Sequence, residues 1–181
     1  MSSELTSTDE HRPTHHASRR GLVRGAALVI AASAAVGALC GVLWELWWTP
    51  PSGLVLEGVW YPDLEGVRQL FSGTGLYVIV GVIGGVLLGA GSAWLFDRVE
   101  LLTLAVVGVG SVLAGWLMFQ VGTALAPPDP TAAASTADDY TELPGTLEID
   151  GKGAFVAFPA GALTGLTVVF IGLRPTRRMR D

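Results

Sequence analysis

Long apolar runs separated by polar stretches set the pattern of this chain. Four of them, at 25–44, 75–96, 101–126 and 153–173, contain no charged side chain. At 1.5 Å rise per residue, about 20 apolar residues cross the roughly 30 Å hydrocarbon core of a bilayer. Lipid offers no hydrogen-bond partner to an open backbone, so each run is predicted to be a helix. No period-2 alternation marks them as strands of a membrane barrel. Four uncharged runs in 181 residues also disfavour a soluble protein with buried helices. The expected fold is an all-α membrane protein: a four-transmembrane-helix bundle whose two acidic outer loops carry a short interfacial helix and short strands.

The stretches between the runs have patterns of their own. In the loop 45–74, Leu54-Val55-Leu56 and Val59-Trp60-Tyr61 flank Glu57-Gly58, which predicts two short strands about a tight turn. After Pro62-Asp63, the residues Leu64, Val67, Leu70 and Phe71 share one helical face, which predicts a short helix lying in the membrane interface. Trp44, Trp47, Trp48, Trp60 and Tyr61 are expected at headgroup depth, with Glu45 among them and hydrated.

The loop 127–152 opens on Pro127-Pro128-Asp129-Pro130, which stops the third helix. The Ala/Thr/Ser/Asp stretch 131–141 reads as a flexible crest with nothing to pack. Thr146-Leu147-Glu148-Ile149 with Asp150-Gly151 reads as a strand and turn. Pro159 is expected to kink the fourth helix, because it leaves the carbonyl of Phe155 without a donor.

Charge then gives the arrangement a direction. The tail 1–24, the turn 97–100 and the tail 174–181 hold Arg12, Arg19, Arg20, Arg24, Arg98, Arg174, Arg177, Arg178 and Arg180; the other side holds only Arg68 and Lys152. Basic residues stay cytoplasmic, so both termini are expected inside a plasma (inner) membrane, with loops 45–74 and 127–152 outside. Those loops hold ten of the sixteen acidic residues, so the net charge of −5 averages a basic inner face and an acidic outer one. The inner arginines are assigned to anionic headgroups rather than to nucleic acid.

The tail 1–24 is polar and expected to be disordered. Its Ser18-Arg19-Arg20-Gly21-Leu22-Val23 resembles a twin-arginine export signal, but a first span with its cytoplasmic anchors is the preferred reading. Cys40, the one cysteine, follows Leu39 where a lipoprotein signal takes a small residue, and is read as a buried packing residue.

Candidate chemistry is sparse. His11, His15 and His16 fall in the tail, where no scaffold would fix a metal. Asp138, Asp139, Glu142, Glu148 and Asp150 lack the ligand spacing of a calcium loop and read as a solvated acidic surface. No phosphate loop, zinc spacing or nucleophile–base pair is present, so no catalytic residue, cofactor or metal is expected.

Small residues do recur at every fourth position: Ser33, Gly37 and Gly41; Gly81, Gly85 and Gly89; Ser111 and Gly115; Ala157, Gly161 and Gly165. Such stripes let helix backbones approach closely, and these eleven are the expected helix-packing residues, turned inward within one chain.

The stretches Gly84-Gly85-Val86-Leu87-Leu88-Gly89 with Trp94, Gly115-Trp116-Leu117 through Gly122 with Pro127-Pro128-Asp129-Pro130, and Phe155-Val156-Ala157-Phe158-Pro159-Ala160-Gly161-Ala162-Leu163 resemble a family of small, uncharacterised four-helix membrane proteins of actinobacteria, a domain of unknown function. The resemblance covers 25–173 and implies the same membrane bundle. It carries no activity and no functional residue. The expected role is a non-enzymatic structural or interaction component of the cell envelope, set in the lipid bilayer with a membrane-protein partner or a second copy. A small-solute transporter or channel subunit is the alternative.

Overall fold

A computed structural model describes residues 16–95 and 100–172. Expectations for the tail up to residue 15, for Arg98 and for the basic C-terminal tail lie outside the described residues, as do those for the side chains of His16, Arg19 and Arg20. The chain forms α1 (His16–Trp47), β1 (Ser52–Leu56), β2 (Val59–Pro62), α2 (Leu64–Leu95), α3 (Glu100–Leu125), the one-turn α4 (Thr131–Ala134), β3 (Glu142–Pro144), a 3-10 turn (Lys152–Val156) and α5 (Ala157–Gly172). Helices α1, α2 and α3, and the 3-10 turn run on into α5, contain four stretches long and apolar enough to cross a membrane: Val23–Trp47, Leu64–Ala93, Leu104–Leu125 and Lys152–Ile171.

Several boundaries differ from expectation, each for a local reason. Helix α1 starts at His16, so residues 16–24 of the expected tail are helical. The expected separate interfacial helix does not exist: residues 64–71 are the first two turns of α2, which runs unbroken to Leu95. Asp63 starts that helix. Its Oδ1 accepts the Gly66 N–H at 2.6 Å, and its carbonyl accepts the Val67 N–H at 2.9 Å. No proline follows before Leu95, and the helix runs through its glycines without a stop at the membrane surface. Pro159 falls in the first turn of α5, where proline is best tolerated; the 3-10 turn before it takes the place of the expected kink.

The two most extensive helix contacts join helices that are not consecutive, α1 with α3 and α2 with α5. Each of these pairs is parallel. The consecutive pair α1–α2 and the pair α3–α5 are antiparallel and touch less. Trp44, Tyr77, Met118 and Phe158 fill the centre and are fully buried. Trp44 meets Tyr77 edge to face at 5.1 Å between ring centroids, and Phe155 meets Tyr77 and Phe119 the same way at 5.6 and 5.3 Å. Tyr77 also donates its hydroxyl to the Gly115 carbonyl at 2.8 Å.

Both long loops leave the same end of the bundle and fold into one cap. Its sheet has the order β2-β1-β3, antiparallel throughout, with Val55 opposite Trp60 and Gly53 opposite Leu143. Glu57 and Gly58 take φ of 51° and 75°, the two positive values of a type I′ hairpin turn, as the Glu-Gly pair between two apolar triplets predicts. The third strand is Glu142–Pro144, whereas the expected strand 146–149 is irregular. Its side chains serve the bundle instead: Leu147 is buried in the core around Trp44, Trp48 and Tyr77.

Candidate functional site

Most of the eleven small residues fall on two seams. On the first, Ser33 stands against Gly110, Gly37 against Ala114 and Gly41 against Met118, advancing four residues at each step on both helices. A Cβ on Gly37 would collide with the Ala114 backbone, and one on Gly41 would lie 2.6 Å from the Met118 carbonyl oxygen. Ser33 and Ser111 are fully buried and turn their hydroxyls onto their own helices, at the carbonyls of Val29 and Gly108. On the second seam, Gly85 and Gly89 press on the backbone at Phe158 and Ala162, while Gly161 and Gly165 press on Val82 and Val86.

Two members of the stripes stand differently. A Cβ on Gly81 would make only an ordinary 3.7 Å contact with Ala157, and Gly115 faces Phe158 and Tyr77 rather than α1. Sequence reasoning missed Gly84, set against Cys40 and Phe158, and Gly122, which admits the Trp44 ring. Neither keeps the four-residue spacing of the expected stripes. Only the position of a neighbouring large side chain identifies them.

The tryptophans divide. Trp47 and Tyr61 are exposed, as headgroup-facing rings would be. Trp44 and Trp48 are buried, so these two are core residues rather than belt residues. Gly73 explains Trp44: its carbonyl accepts the indole N–H at 2.8 Å, which leaves no polar atom of that ring needing water. Trp60 is half-buried, donates to the Leu143 carbonyl at 2.9 Å, and lies across Gly53 and Gly145, where any Cβ would strike its ring.

The stretch 131–141 packs, contrary to expectation. Ala134 is fully buried, and the backbone at Ala134 and Ser135 lies against Gly58 of the hairpin turn. Tyr140 donates its N–H to the Val55 carbonyl at 2.7 Å, and Val55 donates to the Thr141 carbonyl at 3.0 Å. Asp139 Oδ1 accepts the N–H of Glu57 at 2.8 Å, which ties the strained turn residue to the other loop.

The acidic groups do not form one cluster. Asp63 caps α2 and also accepts the Ser52 hydroxyl at 2.8 Å; the Gly66 N–H, then that hydroxyl, hold its carboxyl below the usual carboxylate range. Asp129 is lowered likewise, by the Thr131 hydroxyl and then the Thr131 N–H. Both serve local turns. Among the described residues no three His, Cys, Asp or Glu side chains stand close enough to hold a metal ion.

Two hollows remain. A cavity of about 280 Å³ in the cap lies between Trp60, Leu70, Asp129 and Glu148. An apolar slot of about 490 Å³ runs between α1 and α2, with Val29, Cys40 and Leu88 in its floor. The arrangement can bind apolar matter along the bundle and offer hydrogen-bond acceptors at the cap. It assembles no nucleophile with a base among the described residues. No family model, curated protein or solved structure matches the chain.

Proposed function

We propose that this chain is a multi-pass protein of the plasma (inner) membrane with both termini cytoplasmic, and that it serves as a non-enzymatic structural or interaction component of the cell envelope. The observation that carries this reading is the division of the molecule into a closed apolar bundle and an acidic cap built jointly from both loops. In the sequence, nine of the eleven basic residues fall in 1–24, 97–100 and 174–181, outside the two loops that build the cap, which supports the orientation.

The bundle axis is filled by Trp44, Tyr77, Met118 and Phe158, and none of the four apolar runs carries a charge. That argues for packing over the alternative of a transporter or channel subunit, which places ionisable groups along its pathway. The cap gives the interaction role its surface: Tyr140, Tyr61, Leu64 and Phe71 are exposed there, beside acidic side chains.

Reporter fusions after Leu5 and Arg178 test the orientation and should both read cytoplasmic. A maleimide probe should reach a cysteine placed at Tyr140 from outside, in a Cys40→Ala background. Termini in opposite compartments would overturn the four-crossing arrangement. A photo-crosslinker at Tyr140 should capture one envelope protein in stoichiometric amount, whereas solute flux through the purified protein in liposomes would favour the transporter.

A further inference from the structure

Most of the small residues that bring helices together in this bundle lie on the α1–α3 and α2–α5 seams, while Gly84 of α2 approaches Cys40 of α1. What remains between α1 and α2 is a slot of different character. Its floor is sealed by Val29, Cys40 and Leu88, while its rims are the exposed side chains of Leu28, Leu39, Ile83 and Leu87. Close docking of another helix is favoured by small residues at the contact, and these bulky rims disfavour it. A thin, flexible chain meets no such obstacle. From Leu28 to Trp47 the slot follows α1 for about 28 Å, close to the full depth of the hydrocarbon core. Its volume of about 490 Å³ lies within the range of about 300–1,000 Å³ typical of small-molecule sites.

Charge selects which end carries the headgroup. Arg24 is exposed one turn before Leu28, on the same face of α1. The opposite end reaches Trp47, next to the cap, whose loops carry ten acidic residues and two basic ones. An anionic headgroup is therefore favoured at Arg24 and repelled at the cap.

We infer that the α1–α2 slot holds an acyl chain of an anionic phospholipid that enters from the Arg24 leaflet, with its phosphate against the Arg24 guanidinium. The inference rests on the membrane reading above. Gly91 offers a clean way to close the slot. It lines the slot, yet a Cβ there meets nothing within 4 Å, so a larger side chain fills the slot without moving a helix. Ala32, exposed on the opposite wall, offers a second.

The test uses the full chain in mild detergent, exchanged against palmitoyl-oleoyl phosphatidylglycerol and phosphatidylcholine and read by native mass spectrometry. The natural sequence should retain the glycerol lipid with a preference of about fivefold, the effect of one basic side chain near an anionic headgroup. Arg24→Gln should retain both lipids alike. Gly91→Phe and Ala32→Phe should retain neither, with melting in detergent alone unchanged for at least one of them. Equal retention of the two lipids by the natural sequence would overturn the inference. So would retention that survives both blocking variants, as lipid at the general surface would, or a dimer abolished by them, which would put a second copy in the slot. Release of the natural chain from membranes by alkaline carbonate would instead sink the membrane reading itself.

Discussion

The indole N–H of Trp44, at the end of α1, donates to the main-chain carbonyl of Gly73 in α2 across 2.8 Å. The ring is fully buried, lies in the hollow left by Gly122, and meets Tyr77 edge to face. One side chain thus joins three helices at the level where the bundle meets its cap.

Trp44→Phe should therefore destabilise the protein by about 1–3 kcal/mol, through loss of a buried hydrogen bond and of part of the ring's packing. Trp47→Phe, three residues on and exposed, should change little. Thermal melting of the two variants in the same detergent decides the matter; equal shifts would mean that the indole hydrogen bond contributes nothing.

Gly89→Leu should disrupt the α2–α5 seam, since even its Cβ would overlap the Ala162 carbonyl. The loss should be about 1–3 kcal/mol or more, as for overpacked cores generally. Gly91→Leu, two residues away in the same helix and facing open space, should leave the melting temperature unchanged or slightly raised. A pair of variants with the same melting temperature would remove this seam as a determinant of the bundle.

Deleting residues 131–137 should loosen the cap, because Ala134 is buried and the turn at Gly58 rests on this segment. Asp139→Ala should do so more mildly, by about 1 kcal/mol, through loss of its bond to the Glu57 N–H. Hydrogen exchange at Val55 and Glu57 should quicken in both. Unchanged protection there would return the segment to a free crest.

Glu57→Asn should stabilise the cap. Glu57 holds φ at 51°, which asparagine accepts more readily, and Asn-Gly suits a type I′ turn. A gain of about 0.5 kcal/mol is the scale for relieving one such position. A lower cap stability in chemical denaturation would show that the glutamate side chain has a role the backbone does not explain.

The start of α2 should weaken in acid. The Asp63 carboxyl is held lower in the folded chain than its ordinary value, so the folded form binds fewer protons than the unfolded one. Stability then rises with pH up to the ordinary aspartate range near about 4, stays level above it, and is lost as pH falls through the lower folded value. Protection of the Gly66 amide, taken relative to its intrinsic exchange rate at each pH from 6 to about 2, should fall in the natural chain. In Asp63→Asn, which keeps a capping oxygen but does not titrate, it should show no such added loss.

Much of this protein is legible in the chain taken one segment at a time. Hydropathy over a run of about 20 residues settles that Gly25 through Trp44, for example, forms a helix long enough to cross a membrane. The hairpin turn at Glu57-Gly58 is as local, because two positive φ values between apolar triplets need only four neighbouring residues. Such features depend on contacts within a few positions, so composition and spacing decide them.

The tertiary structure decided the rest. Nothing in the run Trp44-Glu45-Leu46-Trp47-Trp48 distinguishes a buried ring from an exposed one; the acceptor at Gly73 and the hollow at Gly122 do, and both lie on other helices. The four-residue stripes announce close packing without naming partners, and only the fold sets Gly37 on Ala114 and Gly89 on Ala162. The segment 131–141 looked unable to pack because its own side chains are small. It is held by backbone and carboxylate bonds to a hairpin that precedes it by some eighty residues. Partner choice of this kind is collective: it depends on which surfaces remain after every other segment is placed, and no single stretch of sequence carries that information.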